Sequence, residues 1–229
     1  ENVEAIRECL KRTGMQHEIL LVDDGSRDDT WFRLKMLSEG TTGIKALRLS
    51  RNFGKEAALC AGLEAAEGDA CIIMDSDLQH PPQLIPEMVR LWKEEGYEVV
   101  EAVKAFRGNE SPVNKVGAHL FYSILSKLSG FDVNQASDFK LLDKRVVQAW
   151  RSMGERDTFF RGMSAWVGFN RVSLPFQIRS RAKGLSKWSF FKLFKLAINA
   201  ITSFSSMPLQ LVTFMGLIFL GGSLILSTQ

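Results

Sequence analysis

The sequence predicts an α/β fold in which a mainly parallel sheet carries helices on both faces. Strand-like and helix-like hydrophobic patterns alternate along the chain, and two apolar runs end in acidic turns, at Asp23-Asp24 and at Asp75. A chain of 229 residues, 45% of them hydrophobic, can bury one sizeable core. Because ligands of such sheets bind beyond the carboxyl ends of the strands, both acidic turns lie where a site is expected.

The elements follow one another in a regular order. A helical stripe at Val3, Ile6 and Leu10 opens the chain, and Pro81-Pro82 marks a break before a helix that ends near Glu95. The predicted strands are 18–22, 44–49, 70–74, 97–103, 138–142 and 172–176. The other predicted helices are 30–38, 55–67, 116–129 and 143–153. A polar loop through Asn114 is interpreted as a lid over the site.

The C-terminal third of the chain has a different character. All 26 acidic residues lie at or before Asp157, whereas eight of the 29 basic residues follow it, which indicates phosphate or anionic lipid nearby. Aromatic residues and lysines interleave over 188–204, as in a helix at a membrane interface. Residues 207–226 contain no charge and would span about 30 Å as a helix. We predict a transmembrane helix there, with a buried globular helix as the alternative.

The surroundings of the globular part can also be predicted. Cys9, Cys60 and Cys71 lack metal-ligand spacing, so we interpret them as reduced core residues of a cytosolic domain. The positive-inside rule likewise places this domain on the cytoplasmic side of the membrane. The chain opens on a helix-like pattern without an initiator Met, and we expect a further segment to precede Glu1.

The motif Asp75-Ser76-Asp77 stands directly after an apolar strand. Together with Gln79, its two carboxylates supply the oxygen ligands that a hard divalent cation such as Mg²⁺ or Mn²⁺ prefers. Such a cation neutralises a nucleotide diphosphate and makes it a better leaving group. Two acids in a surface turn are more often only solvated, but the position after a strand favours a metal site.

Two other strand ends carry polar residues suited to a nucleotide. The turn after the first strand offers acceptors for ribose hydroxyls and a uracil N–H, while Asp28 or Asp29 is assigned to helix capping. Residues 51–55 lie at a strand-to-helix junction, where backbone N–H groups and a lysine meet an anionic ligand, although a plain helix start is an equal alternative. The predicted nucleotide-sugar contacts are Asp23, Asp24, Ser26, Asn52, Lys55 and Asp75.

Taken in order, these motifs resemble the inverting glycosyltransferases of family two, which have the GT-A fold. The stretches 49–58 and 75–82 are similar to one branch, the dolichol-phosphate mannose synthases and bactoprenol-phosphate glucosyltransferases. The resemblance implies that Asp75, Asp77 and Gln79 hold the metal. It also implies a homotetramer, a first strand before Glu1 and a second membrane helix beyond this chain. His80, a lone histidine beside two prolines, is interpreted as structural.

The resemblance continues through Ser137-Asp138-Phe139-Lys140, where the branch carries a catalytic acid. Asp138 is therefore the candidate base, with orientation of the substrate, or merely the start of a strand, as alternatives. The family more often has Arg at the position of Lys140. The branch's R-x-x-G-x-S-K element predicts binding of a lipid phosphate by Arg179, Arg181, Ser186 and Lys187. Lys104 and Arg107 are looser candidates for phosphate contact.

The sequence thus predicts an inverting, metal-dependent transferase that moves a sugar, by resemblance glucose from UDP-glucose, onto undecaprenyl or another polyisoprenyl phosphate at the inner membrane. The alternatives are a family-two transferase with a polysaccharide or protein acceptor, and an inactive membrane scaffold. We expect a GT-A catalytic domain over 1–178, a basic amphipathic segment over 179–206 and the transmembrane helix over 207–226.

Overall fold

The computed structural model describes residues 2–76, 79–104, 137–153, 160, 167–176 and 207–227. The predicted polar loop, the helix over 116–129 and the interfacial segment over 188–204 lie outside the described residues. By internal contacts the chain divides into two compact units, residues 1–109 with 135–184 and residues 110–134 with 185–229.

The first unit contains six strands and five helices among its described residues. The strands are β1 (Ile19–Asp23), β2 (Ile44–Arg48), β3 (Ala70–Ile73), β4 (Val99–Lys104), β5 (Lys140–Asp143) and β6 (Arg171–Phe176). The helices are α1 (Asn2–Lys11), α2 (Thr30–Gly40), α3 (Lys55–Ala65), α4 (Ile85–Glu95) and α5 (Lys144–Met153), with a 3₁₀ turn at Pro82–Leu84. Each of these elements agrees with its predicted counterpart to within a few residues.

Among the described strands, all but β5 run in the same direction as the other strands of their sheet, so the predicted mainly parallel arrangement holds except at β5. Strands β1 and β2 pair in parallel, and a second sheet has the order β3-β5-β4-β6. In that sheet β4 and β6 are parallel, whereas β5 runs antiparallel to both of its neighbours. A strand of four residues, three of them buried, has no sequence signal for its direction, so the antiparallel direction of β5 was not predicted.

Helices cover both faces of the second sheet, as predicted. Val100 and Leu141 point into a core that α1 and α4 close. Their strand neighbours Val99 and Leu142 point the other way, into a core that α3 and α5 close. Because side chains alternate along a strand, these four residues fix which face each helix covers.

The three cysteines are free, in agreement with their predicted reduced state. Cys9 is buried in the core beside α4, and burial raises the pKa of the Cys71 thiol to about 11. A thiol with such a pKa is almost entirely protonated near neutral pH and is a weak nucleophile.

The start of α2 is held by local carboxylates, as predicted for Asp28 and Asp29. The Asp28 carboxylate accepts a hydrogen bond of 3.0 Å from the backbone N–H of Thr30. Asp29 occupies the N-cap position without a side-chain capping bond, and its carboxylate pairs instead with Arg33 at 2.7 Å. Asp28 therefore does the capping.

The second unit is described only by helix α6 (Met207–Ser227), 21 residues long. This confirms a helix over the predicted range, and its apolar side chains, such as Leu209 and Phe219, are exposed. A helix with the length and hydrophobicity that a bilayer crossing requires is not found in the described ranges. The predicted role of residues 207–226 as a membrane span is therefore not supported.

A buried ion pair joins β4 and β5 at the centre of the second sheet. The Lys140 ammonium lies 3.0 Å from the Glu101 carboxylate, and the two residues are direct cross-strand partners. The ammonium also stands 5.0 Å from the centre of the Phe160 ring. Lys140 is fully buried, and both of these neighbours help to compensate its charge.

The turn after β1 packs directly on the backbone before α3. Gly25 has a φ of +66°, and a β-carbon at this position would lie 2.5 Å from the carbonyl carbon of Arg51. Only glycine permits both the left-handed backbone and this approach. The contact keeps the polar ends of β1 and β2 close together.

We expect Lys140→Met to lower the free energy of unfolding by about 3 to 5 kcal/mol, because it leaves the Glu101 charge buried without its ammonium. The double variant Lys140→Met/Glu101→Leu should recover most of that loss. Urea unfolding of both variants checks this, and a double variant no more stable than the single one would contradict it.

Substitution of Gly25 separates a steric clash from backbone strain. Gly14 has nearly the same φ, +67°, but nothing lies within 4 Å of its would-be β-carbon. Gly14→Ala should therefore cost about 1 kcal/mol of unfolding free energy, whereas Gly25→Ala should cost at least about 3 kcal/mol. If urea unfolding gave the same loss of unfolding free energy for both variants, the turn at Gly25 would accommodate the added β-carbon without a steric clash.

Candidate functional site

The polar residues predicted for catalysis gather where β3 ends and β5 begins. In the antiparallel pair, Ile73 stands opposite Lys140. Asp75 follows β3 by two residues and Asp138 precedes β5 by two residues, and both carboxylates contact the Lys55 ammonium, at 2.7 and 2.6 Å. The predicted metal ligand and the predicted catalytic acid thus lie close together where these two paired strands meet.

Two facing carboxylates repel each other, and Lys55 compensates their charge. Its ammonium lies 2.7 Å from Asp75 Oδ1, 2.9 Å from Asp75 Oδ2 and 2.6 Å from Asp138 Oδ2. Burial of the ammonium acts to lower the pKa of Lys55, but Asp138 and Asp75 outweigh it, so that the pKa is raised. Lys55, predicted as a nucleotide contact, is in this structure the cation between two acids.

The position of Lys55 is set by Asp24 through the backbone. The Asp24 carboxylate accepts hydrogen bonds from the N–H groups of Phe53 at 2.8 Å and Gly54 at 2.9 Å. Gly54 is the N-cap of α3, and Lys55 is the first residue of that helix. Both Asp24 oxygens therefore anchor the loop before α3, a role that its prediction as a nucleotide acceptor did not include.

Asp23 is buried at the end of β1, with only 3% of its surface exposed. One carboxylate oxygen accepts a bond of 3.1 Å from the backbone N–H of Ser26. The other lies 3.3 Å from Arg48 Nε and has no hydrogen bond among the described residues. This oxygen is buried, and the contact of Asp23 with a nucleotide stays a prediction.

The remaining nucleotide contacts predicted near Asp23 are Ser26, which is half-buried, and Asn52. Asn52 is exposed in the loop before α3. The Ser26 backbone carbonyl accepts a bond of 3.0 Å from Arg48 Nη2, so the main chain of Ser26 is held at both its N–H and its C=O.

The predicted metal ligands are described only in part. Asp75 keeps 37% of its side-chain surface exposed, Gln79 is half-buried, and Asp77 lies outside the described residues. No cluster of three histidine, cysteine or acidic side chains suited to a metal occurs within the described residues. Asp75 nevertheless fits a cation, because both of its oxygens already face the Lys55 ammonium.

His80, which the sequence predicted to be structural, contacts the residues around the two carboxylates. Its Nδ1 accepts a bond of 3.2 Å from the backbone N–H of Asp75. Its ring stacks on Phe139 at 5.1 Å between centroids, next to Asp138. His80 thus connects the chain segment of Asp75 with that of Asp138. The sequence signal for this connection was its place one residue after Gln79.

The residues predicted to bind the acceptor phosphate, Arg179, Arg181, Ser186 and Lys187, lie outside the described residues, as does Arg107. Lys104 is described only as the last residue of β4. Their roles stay predictions.

Comparison with known proteins identifies the family. Residues 3–150 match glycosyl transferase family 2. An uncharacterised glycosyltransferase of Synechocystis is 39% identical over 91% of this chain and 66% of its own length. The bactoprenol glucosyl transferase of Shigella phage SfV is 35% identical over 93% of this chain and 69% of its own length. The chain thus spans about two thirds of the length of these relatives.

A solved structure supports the fold. Glucosyl-3-phosphoglycerate synthase of Mycobacterium tuberculosis, in complex with Mn²⁺, UDP-glucose and phosphoglyceric acid, superposes with a TM-score of 0.50 at 19% identity. The match covers 80% of this chain and 65% of that one. At this identity the likeness concerns the fold, which is that of GT-A glycosyltransferases. From the match to the family and the identity with its curated members, the chain belongs to glycosyl transferase family 2, in the branch of the bactoprenol glucosyl transferases.

Proposed function

We propose that this chain is the catalytic part of an inverting transferase that moves glucose from UDP-glucose onto a polyisoprenyl phosphate such as undecaprenyl phosphate. The observation that carries the proposal is the Asp75 and Asp138 pair at facing strand ends, in a chain 35% identical to a bactoprenol glucosyl transferase. The structurally similar mycobacterial synthase binds UDP-glucose, which supports this choice of donor.

In the proposed reaction an oxygen of the lipid phosphate attacks the anomeric carbon as the bond to the nucleoside diphosphate breaks. Direct displacement inverts the anomeric centre. A phosphate acceptor is already ionised near neutral pH, so it needs no strong base. Asp138, buried and paired with Lys55, is suited to orienting the reacting groups.

The nucleotide and its metal are assigned to the end of β1 and the end of β3. Asp23 and Ser26, which a hydrogen bond joins at the end of β1, are proposed to contact the nucleoside. Asp75, Asp77 and Gln79 are proposed to hold Mg²⁺ or Mn²⁺. When bound, such an ion offsets the negative charge that builds up on the departing diphosphate.

Arg179, Arg181, Ser186 and Lys187 are proposed to hold the phosphate of the acceptor, because guanidinium and ammonium groups match phosphate oxygens in charge and geometry. We also propose attachment to the inner membrane with the catalytic domain on the cytoplasmic side, through the basic segment over 179–206 and the helix over 207–226. We further propose, from the family resemblance, that the protein assembles as a homotetramer.

Transfer of radiolabelled glucose from UDP-glucose to undecaprenyl phosphate in detergent tests the reaction. Label should enter the organic phase with Mn²⁺ present and should be lost with EDTA. Asp75→Asn should reduce the rate at least about 100-fold, because it removes a charge from the site. Asp69→Asn is the matched control, since the Asp69 side chain is 81% exposed and pairs with the Lys144 ammonium at 3.5 Å, outside the proposed machinery.

The remaining outcomes of this assay separate the alternatives. Label from another nucleotide sugar alone would change only the donor. Label that stays in the aqueous phase on a polysaccharide or protein would identify a different acceptor and contradict the proposal. Absence of transfer with every donor and acceptor would favour an inactive scaffold.

A further inference from the structure

Lys55 and a divalent cation require the same carboxylate. The Lys55 ammonium contacts both oxygens of Asp75, at 2.7 and 2.9 Å. We propose that Lys55 is a built-in counter-ion that weakens metal binding to the empty site, so that the metal binds tightly only together with the nucleoside diphosphate. This inference rests on the proposed function, because it assigns Asp75 to the metal.

The ammonium cannot easily leave when a metal arrives. Its other partner, Asp138, has 5% of its side chain exposed and lies 2.6 Å away. Movement of Lys55 away from that buried carboxylate would break a close contact between opposite charges in a site with little solvent, which is costly. Lys55 is therefore held at the site by Asp138 while the metal approaches Asp75.

The backbone restricts Lys55 in the same way. Lys55 begins α3, and the two residues before it donate their N–H groups to Asp24. Its Cα is thus fixed relative to the end of β1, and only its side-chain rotamers remain free to change. The ammonium thus stays within reach of Asp75, and a metal at this carboxylate has a positive charge as a near neighbour.

Sharing one carboxylate between an ammonium and a dication is electrostatically unfavourable, since the two positive charges repel. A nucleoside diphosphate reverses the balance, because its negative charge interacts favourably with both cations at once. Lys55 then changes from a competitor of the metal into a partner of the nucleotide. The consequence is that metal and nucleotide bind cooperatively.

Mn²⁺ binding, followed by the electron paramagnetic resonance signal of the free ion, tests this with the full chain in detergent. Without nucleotide, Lys55→Met should bind Mn²⁺ about tenfold more tightly than the wild type, and Lys55→Gln should do the same. Lys55→Arg retains the charge and should bind like the wild type. With saturating UDP the advantage of Lys55→Met should shrink to less than about twofold.

Lys45 offers a matched control. It is also a lysine between two carboxylates, Glu18 at 2.8 Å and Glu67 at 3.0 Å, but it lies on β2, outside the proposed machinery. Lys45→Met should leave Mn²⁺ binding unchanged. Loss of structure in a Lys55 variant would weaken metal binding, so a tighter complex cannot arise from misfolding.

Unchanged or weaker Mn²⁺ binding in both Lys55→Met and Lys55→Gln would overturn the inference, including the case in which no variant binds the ion without nucleotide. If the wild type still transfers glucose to undecaprenyl phosphate, such an Mn²⁺ titration rejects only the role proposed for Lys55 and leaves the proposed function standing. If the wild type transfers to no lipid phosphate, the proposed function fails whatever the Mn²⁺ titration shows.

Discussion

The Lys55 ammonium between Asp75 and Asp138 is the interaction on which the arrangement of this site depends. Asp75 lies just after β3 and Asp138 just before its antiparallel partner β5, and Asp138 is almost fully buried. Without a cation between them, their mutual repulsion and the burial of Asp138 would oppose the strand pairing that the core requires. The Lys55 ammonium thus contributes to the stability of the fold and to the charge balance of the candidate active site.

Several other contacts keep this cation in place, and they come from separate parts of the chain. Asp24 holds the backbone before α3, and Gly25 allows the turn after β1 to approach it closely. His80 connects the backbone of Asp75 to the ring of Phe139. A site held by backbone hydrogen bonds and buried rings is preorganised, so that little ordering remains to be done when substrates bind.

The sequence predicted the strands and helices better than the tertiary contacts between the candidate site residues. The spacing of apolar residues located the described strands and helices, because burial of one face of an element makes hydrophobic residues recur at a fixed interval within a short stretch of sequence. The direction of β5 left no such pattern, and the facing of Asp75 and Asp138 follows from that direction. Asp24 was predicted to contact a nucleotide, yet its hydrogen bonds to residues 29 and 30 positions away depend on tertiary approach. His80 was interpreted as structural from its place beside two prolines, and its bond to the Asp75 backbone and its stacking on Phe139 likewise depend on tertiary approach.

The central claim is that Lys55 and Asp138 are energetically coupled, and a double-mutant cycle on unfolding free energy measures this most directly. Lys55→Met, Asp138→Asn and the double variant would be compared by urea unfolding in the absence of metal and nucleotide. The account predicts that the two losses do not add, with a coupling of about 1 to 3 kcal/mol. Additive losses would show that the ion pair contributes nothing to the folded state and would contradict the account.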